Sequence, residues 1–110
     1  MKSLESINRI ALIISYKKAF IDWLRYIYPD TSDSQENHDS KAVYLLPESE
    51  NWEECLKSKY QQIFEEEIES WCEDLNQWPQ NRSWEAFNEW FDYEWQSMIY
   101  DMSDEPIEEA

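Results

Sequence analysis

The sequence predicts an α+β fold, a small sheet covered by helices in the order β-α-β-α-α-β. Two observations carry that expectation: a segment alternating at period two, and several segments with apolar stripes at helical spacing. The first segment, "RIALIISY" (9–16), sets Ile10, Leu12, Ile14 and Tyr16 on one face and Arg9, Ala11, Ile13 and Ser15 on the other. Its β-branched residues favour a strand, although a helix with Leu4, Ile7, Ala11 and Ile14 in one stripe competes. "KAFIDWLRYIY" (18–28) gathers Phe20, Ile21, Trp23, Leu24, Ile27 and Tyr28 in one helical arc opposite Lys18, Asp22 and Arg25, and Pro29 stops it.

The stretch 30–40 holds no apolar residue and reads as a polar loop. "AVYLLP" (42–47) is a short apolar run closed by proline, an interior or second strand. With a helix between them, the two strands are expected to lie parallel through a right-handed crossover. The segment 51–75 is the longest helical one, capped by Asn51 with Glu54 three residues on, Ser49 being a rival cap. Trp52, Leu56, Tyr60, Phe64, Ile68 and Leu75 recur mostly at four-residue spacing, a drifting stripe that predicts a kink or a broad buried face. Glu65, Glu66, Glu69 and Glu73 gather on the other side, as a solvated face or as a docking surface for basic groups.

After the connection 76–82, Ser83 is the expected cap of the last helix. Trp84, Phe87 and Phe91 form its core stripe, with the helix running to about Tyr93 and a strand following over 96–102. Trp90 and Tyr93 fall off that stripe, and Trp78 sits in a proline-containing connection, so these three are the expected exposed aromatic anchors. Arg82 beside Trp78 is expected to stack or pair locally. Residues 103–110 are expected to form a disordered acidic tail.

Composition bounds the function. At 110 residues the chain is a single domain, 1–110, and its seven Trp, seven Tyr and four Phe supply a core that an acidic disordered segment would lack. The formal net charge is −16. Residues 1–28 hold five basic and two acidic side chains, and residues 29–110 hold four and 23. Such a field repels phosphates and anionic membranes, so neither nucleic acid nor a membrane is the expected partner; a basic protein is. The longest apolar run, Ile10 to Ile14, is too short to span a bilayer, and the start of the chain fits a secretory signal poorly. A cytoplasmic location is therefore expected.

No cofactor or metal is expected. Without glycine there is no phosphate loop, dinucleotide fingerprint or calcium loop, and positive φ would fall to Asn76 and Asn81. Cys55 and Cys72, if on one helix, stand roughly 25 Å apart, beyond any disulfide. His38, the one histidine, lies in the polar loop, a poor place to hold a base. Asp30, Asp33, Glu36 and Asp39 resemble a calcium loop weakly, since Lys41 stands where a bidentate Glu is needed.

The segments "FIDWLRY", "VYLLPE" and "WCEDLNQWPQNRSWEAFNEWF" together resemble a group of short bacterial proteins with no assigned function. The resemblance implies an α+β intracellular domain and carries over no catalytic residue. The reading from the residues is a non-enzymatic acidic module binding a basic partner, as an inhibitor, an immunity-type protein or a polyanion mimic. Its docking residues would be Glu65, Glu66, Glu69 and Glu73 with Trp78, Trp90 and Tyr93. The alternatives are a Trp-lined pocket containing a carboxylate, as in a ligand-binding domain or enzyme, and a subunit that dimerises through aromatic residues.

Overall fold

The computed structural model describes residues 5–29 and 41–109; the expected polar loop 30–40, with His38 and its acidic residues, lies outside them. The elements are β1 (Arg9–Tyr16), α1 (Lys18–Ile27), β2 (Lys41–Pro47), α2 (Trp52–Glu69), a 3-10 turn (Leu75–Gln77), α3 (Trp84–Trp90) and β3 (Phe91–Gln96). The order is β-α-β-α-α-β, and the strands form one antiparallel sheet in the spatial order β2-β1-β3.

β1 takes the centre of the sheet because its apolar content serves both sides. Ile10, Leu12 and Ile14 are buried on the face that meets the helices, and Ala11 is buried on the other. Against expectation β2 runs antiparallel to β1, with Ser15 opposite Lys41 and Arg9 opposite Pro47. A helix between two strands implies a parallel crossover only when it supplies the return by itself; here 13 further residues separate α1 from β2, enough to reach either end of β1, so the antiparallel direction is equally open to the chain. β2 is an edge strand rather than an interior one.

The core lies between one sheet face and the helices. Phe20 from α1, Phe64 from α2, Phe87 from α3 and Phe91 from β3 are fully buried and meet one another at ring-centroid distances of 5.0 to 6.1 Å. Pairs of this kind add about 0.5–1.5 kcal/mol each beyond the area they bury. α2 buries a broad face, Leu56, Ile63, Phe64, Glu67 and Ile68. Asn51 is its cap, accepting the Glu54 amide at 3.1 Å, while Ser49 bonds to Asn51 instead. The helix stops at Glu69, earlier than expected, and leaves Leu75 outside the stripe and 70% exposed. Cys55 and Cys72 are free thiols.

The last helix also ends early. Ser83 caps α3 through the Ala86 amide, but the helix stops at Trp90, and Phe91 already belongs to β3. Lys17 provides the stop. Its amide donates to the carbonyl of Trp90 at 2.9 Å and its ammonium to the carbonyl of Asn88 at 2.9 Å, which satisfies carbonyls the helix leaves open. Of the strand expected over 96–102, Gln96 closes β3 and the remainder keeps a bridge between Ser6 and Tyr100, with the Ile7 amide donating to Ile99. No described residue has positive φ, so Asn76 and Asn81 play no such part: Asn76 sits in the 3-10 turn and Asn81 accepts the Ser83 amide.

Residues 97–109 form no helix or strand and are largely exposed. No helix among the described residues is long and apolar enough to cross a membrane.

Candidate functional site

The strands place alternate residues on opposite faces, and the two faces differ in kind. On the inner face lie Tyr16 of β1, Tyr44 of β2 and Phe91, Tyr93 and Trp95 of β3, all packed into the helix-covered core. On the outer face the register sets Leu45 beside Ala11 and Gln96, and Val43 beside Ile13 and Glu94. Ser15 stands beside Asp92 in the next row. Val43 is 59% and Leu45 47% exposed, and neither they nor Ile13 belong to the core. The outer face therefore offers an apolar strip bounded along β3 by Asp92 and Glu94. Between strip and carboxylates lies a dent of about 60 Å³, lined by Ile13, Ser15, Asp92, Tyr93 and Glu94. Two carboxylates stand at its rim.

A second feature lies between the sheet and α2. Glu67 is the one charged side chain buried among the described residues. Its Oε1 accepts the Tyr16 hydroxyl at 2.7 Å, its Oε2 accepts the Tyr44 hydroxyl, and the Trp71 indole donates to the Tyr16 oxygen at 2.9 Å. Burial, reinforced by the adjoining Glu67 carboxyl, pushes both phenols well above the ordinary tyrosine range. Every buried side-chain polar atom among the described residues has a partner, so this network is closed and ties β1, β2 and α2 together.

Tyr44 also borders a groove of about 380 Å³ between β2 and α2. Residues 44–47 line one wall, and Lys59, Gln62, Ile63 and Glu66 line the other, a single stripe of α2. Glu67 is not part of that lining.

Of the acidic residues expected to dock a partner, Glu66 and Glu69 are exposed and Glu65 is half-buried on α2, with Glu66 lining the groove, and Glu73 is exposed beyond the end of the helix. The aromatic three are engaged internally. Trp78 is half-buried, its indole donating to the Cys72 carbonyl at 2.8 Å, with the Arg82 guanidinium over its ring at 5.7 Å. Trp90 is half-buried among Phe20, Trp23 and Phe64, at 5.6, 5.9 and 5.5 Å, because α1 and α2 flank the end of α3. Tyr93 turns inward with Phe91 once the chain has become a strand, and its hydroxyl donates to Asn88 at 2.8 Å. Burial pushes its phenol upward too, with Glu53 and Asp92 adding to the effect.

Sequence reasoning missed the outer face and Glu67. The alternation of "FDYEWQ" (91–96) is a visible strand signal, and it separates Asp92 and Glu94 from Phe91, Tyr93 and Trp95. Among the described residues, no group of three or more potential metal ligands comes together. Compared with protein-family models, with curated proteins and with solved structures, the chain finds no match in any of the three.

Proposed function

We propose that this protein is a non-enzymatic acidic binding module, and that its outer sheet face docks a basic protein partner. The observation that carries this reading is the exposed strip of Val43 and Leu45 running beside Ile13, bounded by Asp92 and Glu94. An apolar centre with a charged rim is the usual anatomy of a protein interface. The net charge of −16 steers a positively charged surface toward it and keeps phosphates and anionic lipids away. The aromatic residues contribute indirectly, by fixing the opposite face of the same strands. Free Cys55 and Cys72 fit action in a reducing compartment such as the cytoplasm.

The test compares two baits in a cell extract, the native protein and the double variant Val43→Ser with Leu45→Ser. A partner retained at low salt by the native bait, released as salt rises and missing from the variant supports the reading. Equal retention by both baits, or retention that ignores salt, contradicts it.

A further inference from the structure

We infer that the groove between β2 and α2 receives an extended, basic segment of the partner, which adds to the sheet as a fourth strand beside β2. The inference rests on the reading above, since the same partner is meant, and says how that partner is held.

Successive side chains of a strand point to opposite faces, yet four consecutive residues, 44–47, border one cavity. A run of that kind means that the open edge of β2 forms the wall, rather than one of its faces. β2 pairs with β1 on one side only, and no described strand occupies the other, so alternate amide and carbonyl groups face the groove. The opposite wall is one stripe of α2, with Ile63 buried and Lys59, Gln62 and Glu66 exposed. An edge strand facing a helix across a trough is the geometry that captures extended peptides: the backbone ladder supplies affinity and alternate side chains supply specificity.

Leu45 both lines the groove and stands on the outer face, so a strand added there continues that face. Its inward side chains reach Leu46 and Ile63, which calls for apolar residues at alternate positions. Within the groove Lys59 and Glu66 offset one another, so the basic character of the occupant follows from Glu48 and Glu50, which border a separate hollow past the end of β2, and from the net charge of −16. A second copy of this chain would fit the edge by backbone pairing alone, but two chains of −16 repel one another.

The probe is an acetylated and amidated heptapeptide alternating lysine and valine, its length matched to the seven residues of β2. Hydrogen exchange of the β2 amides is followed by NMR with and without it. At saturation, exchange at alternate β2 amides is expected to slow by at least about tenfold. The same peptide N-methylated at alternate residues loses the effect, with the protein itself untouched. Glu66→Lys, at an exposed position, weakens binding about three- to tenfold. Peptide binding that shifts the Val43 and Leu45 methyls while leaving β2 exchange unchanged overturns the inference and leaves the outer-face reading standing. Protection of β2 that grows with protein concentration in the absence of peptide also overturns it, because a second copy then holds the edge. A peptide that perturbs nothing overturns the inference, while the outer-face reading stands or falls by the two-bait comparison.

Discussion

Alternate residues of the same three strands meet two different surroundings. Ile14 and Phe91, facing the helices, are 0% and 1% exposed; Val43 and Leu45, facing away, are 59% and 47% exposed. The inner face is dense with aromatic rings and encloses a carboxyl whose two oxygens are both hydrogen-bonded. The outer face pairs aliphatic side chains with carboxylates that meet solvent. Stability is concentrated on one side, and the other side is free to be selected for contact. Four perturbations separate the two.

The largest effect is expected from Phe91→Ala, which empties a fully buried position among Phe20, Phe64 and Phe87. A loss of about 3–5 kcal/mol in urea unfolding is expected. A loss below about 1 kcal/mol would mean that the aromatic core is not the chief source of stability. Next comes Tyr44→Phe, which removes one donor to Glu67. A hydrogen bond to a charged group contributes about 1.5–3 kcal/mol, and the loss is expected in that range. A neutral result would show that water replaces the phenol without cost.

The third perturbation is alkaline pH. Burial and the Glu67 carboxyl raise the phenols of Tyr16 and Tyr44, so the folded protein keeps protons that the unfolded chain gives up. Their contribution is fully present below the ordinary tyrosine value of about 10 and declines as pH rises past it. The urea midpoint is expected to be lower at about pH 11 than at about pH 9, and the fall to be smaller in Tyr44→Phe. The smallest effect on folding belongs to the outer face. Val43→Ser with Leu45→Ser is expected to change stability by no more than about 1 kcal/mol while abolishing partner retention. A large loss of stability would show that something covers this face in the folded protein.

Much of the architecture was legible in the sequence because it is locally encoded. β1 announces itself through its own alternation, and Asn51 and Ser83 cap the helices they precede. What escaped depends on distant residues. Phe91 fits the helical stripe of Trp84 and Phe87 as well as the alternation of β3, and the choice is made by Lys17, 71 positions before the Asn88 carbonyl it caps. The uniform apolarity of "AVYLLP" hides which residues of β2 face out. Glu67 hides in the run of glutamates at 65–67, its only mark being helical spacing from Phe64 and Trp71 on the buried side. Trp90 and Tyr93 read as outliers only while the helix is assumed to continue past Trp90.

The central claim, that the outer face is the docking face, is most directly tested by methyl-resolved NMR at low salt as the partner retained by the native bait is added. The Ile13, Val43 and Leu45 methyl signals are expected to shift, together with the amides of Asp92 and Glu94, and the shifts to vanish as salt rises. Shifts spread over the other acidic stretches of the chain, with these three methyl-bearing residues unmoved, would contradict it.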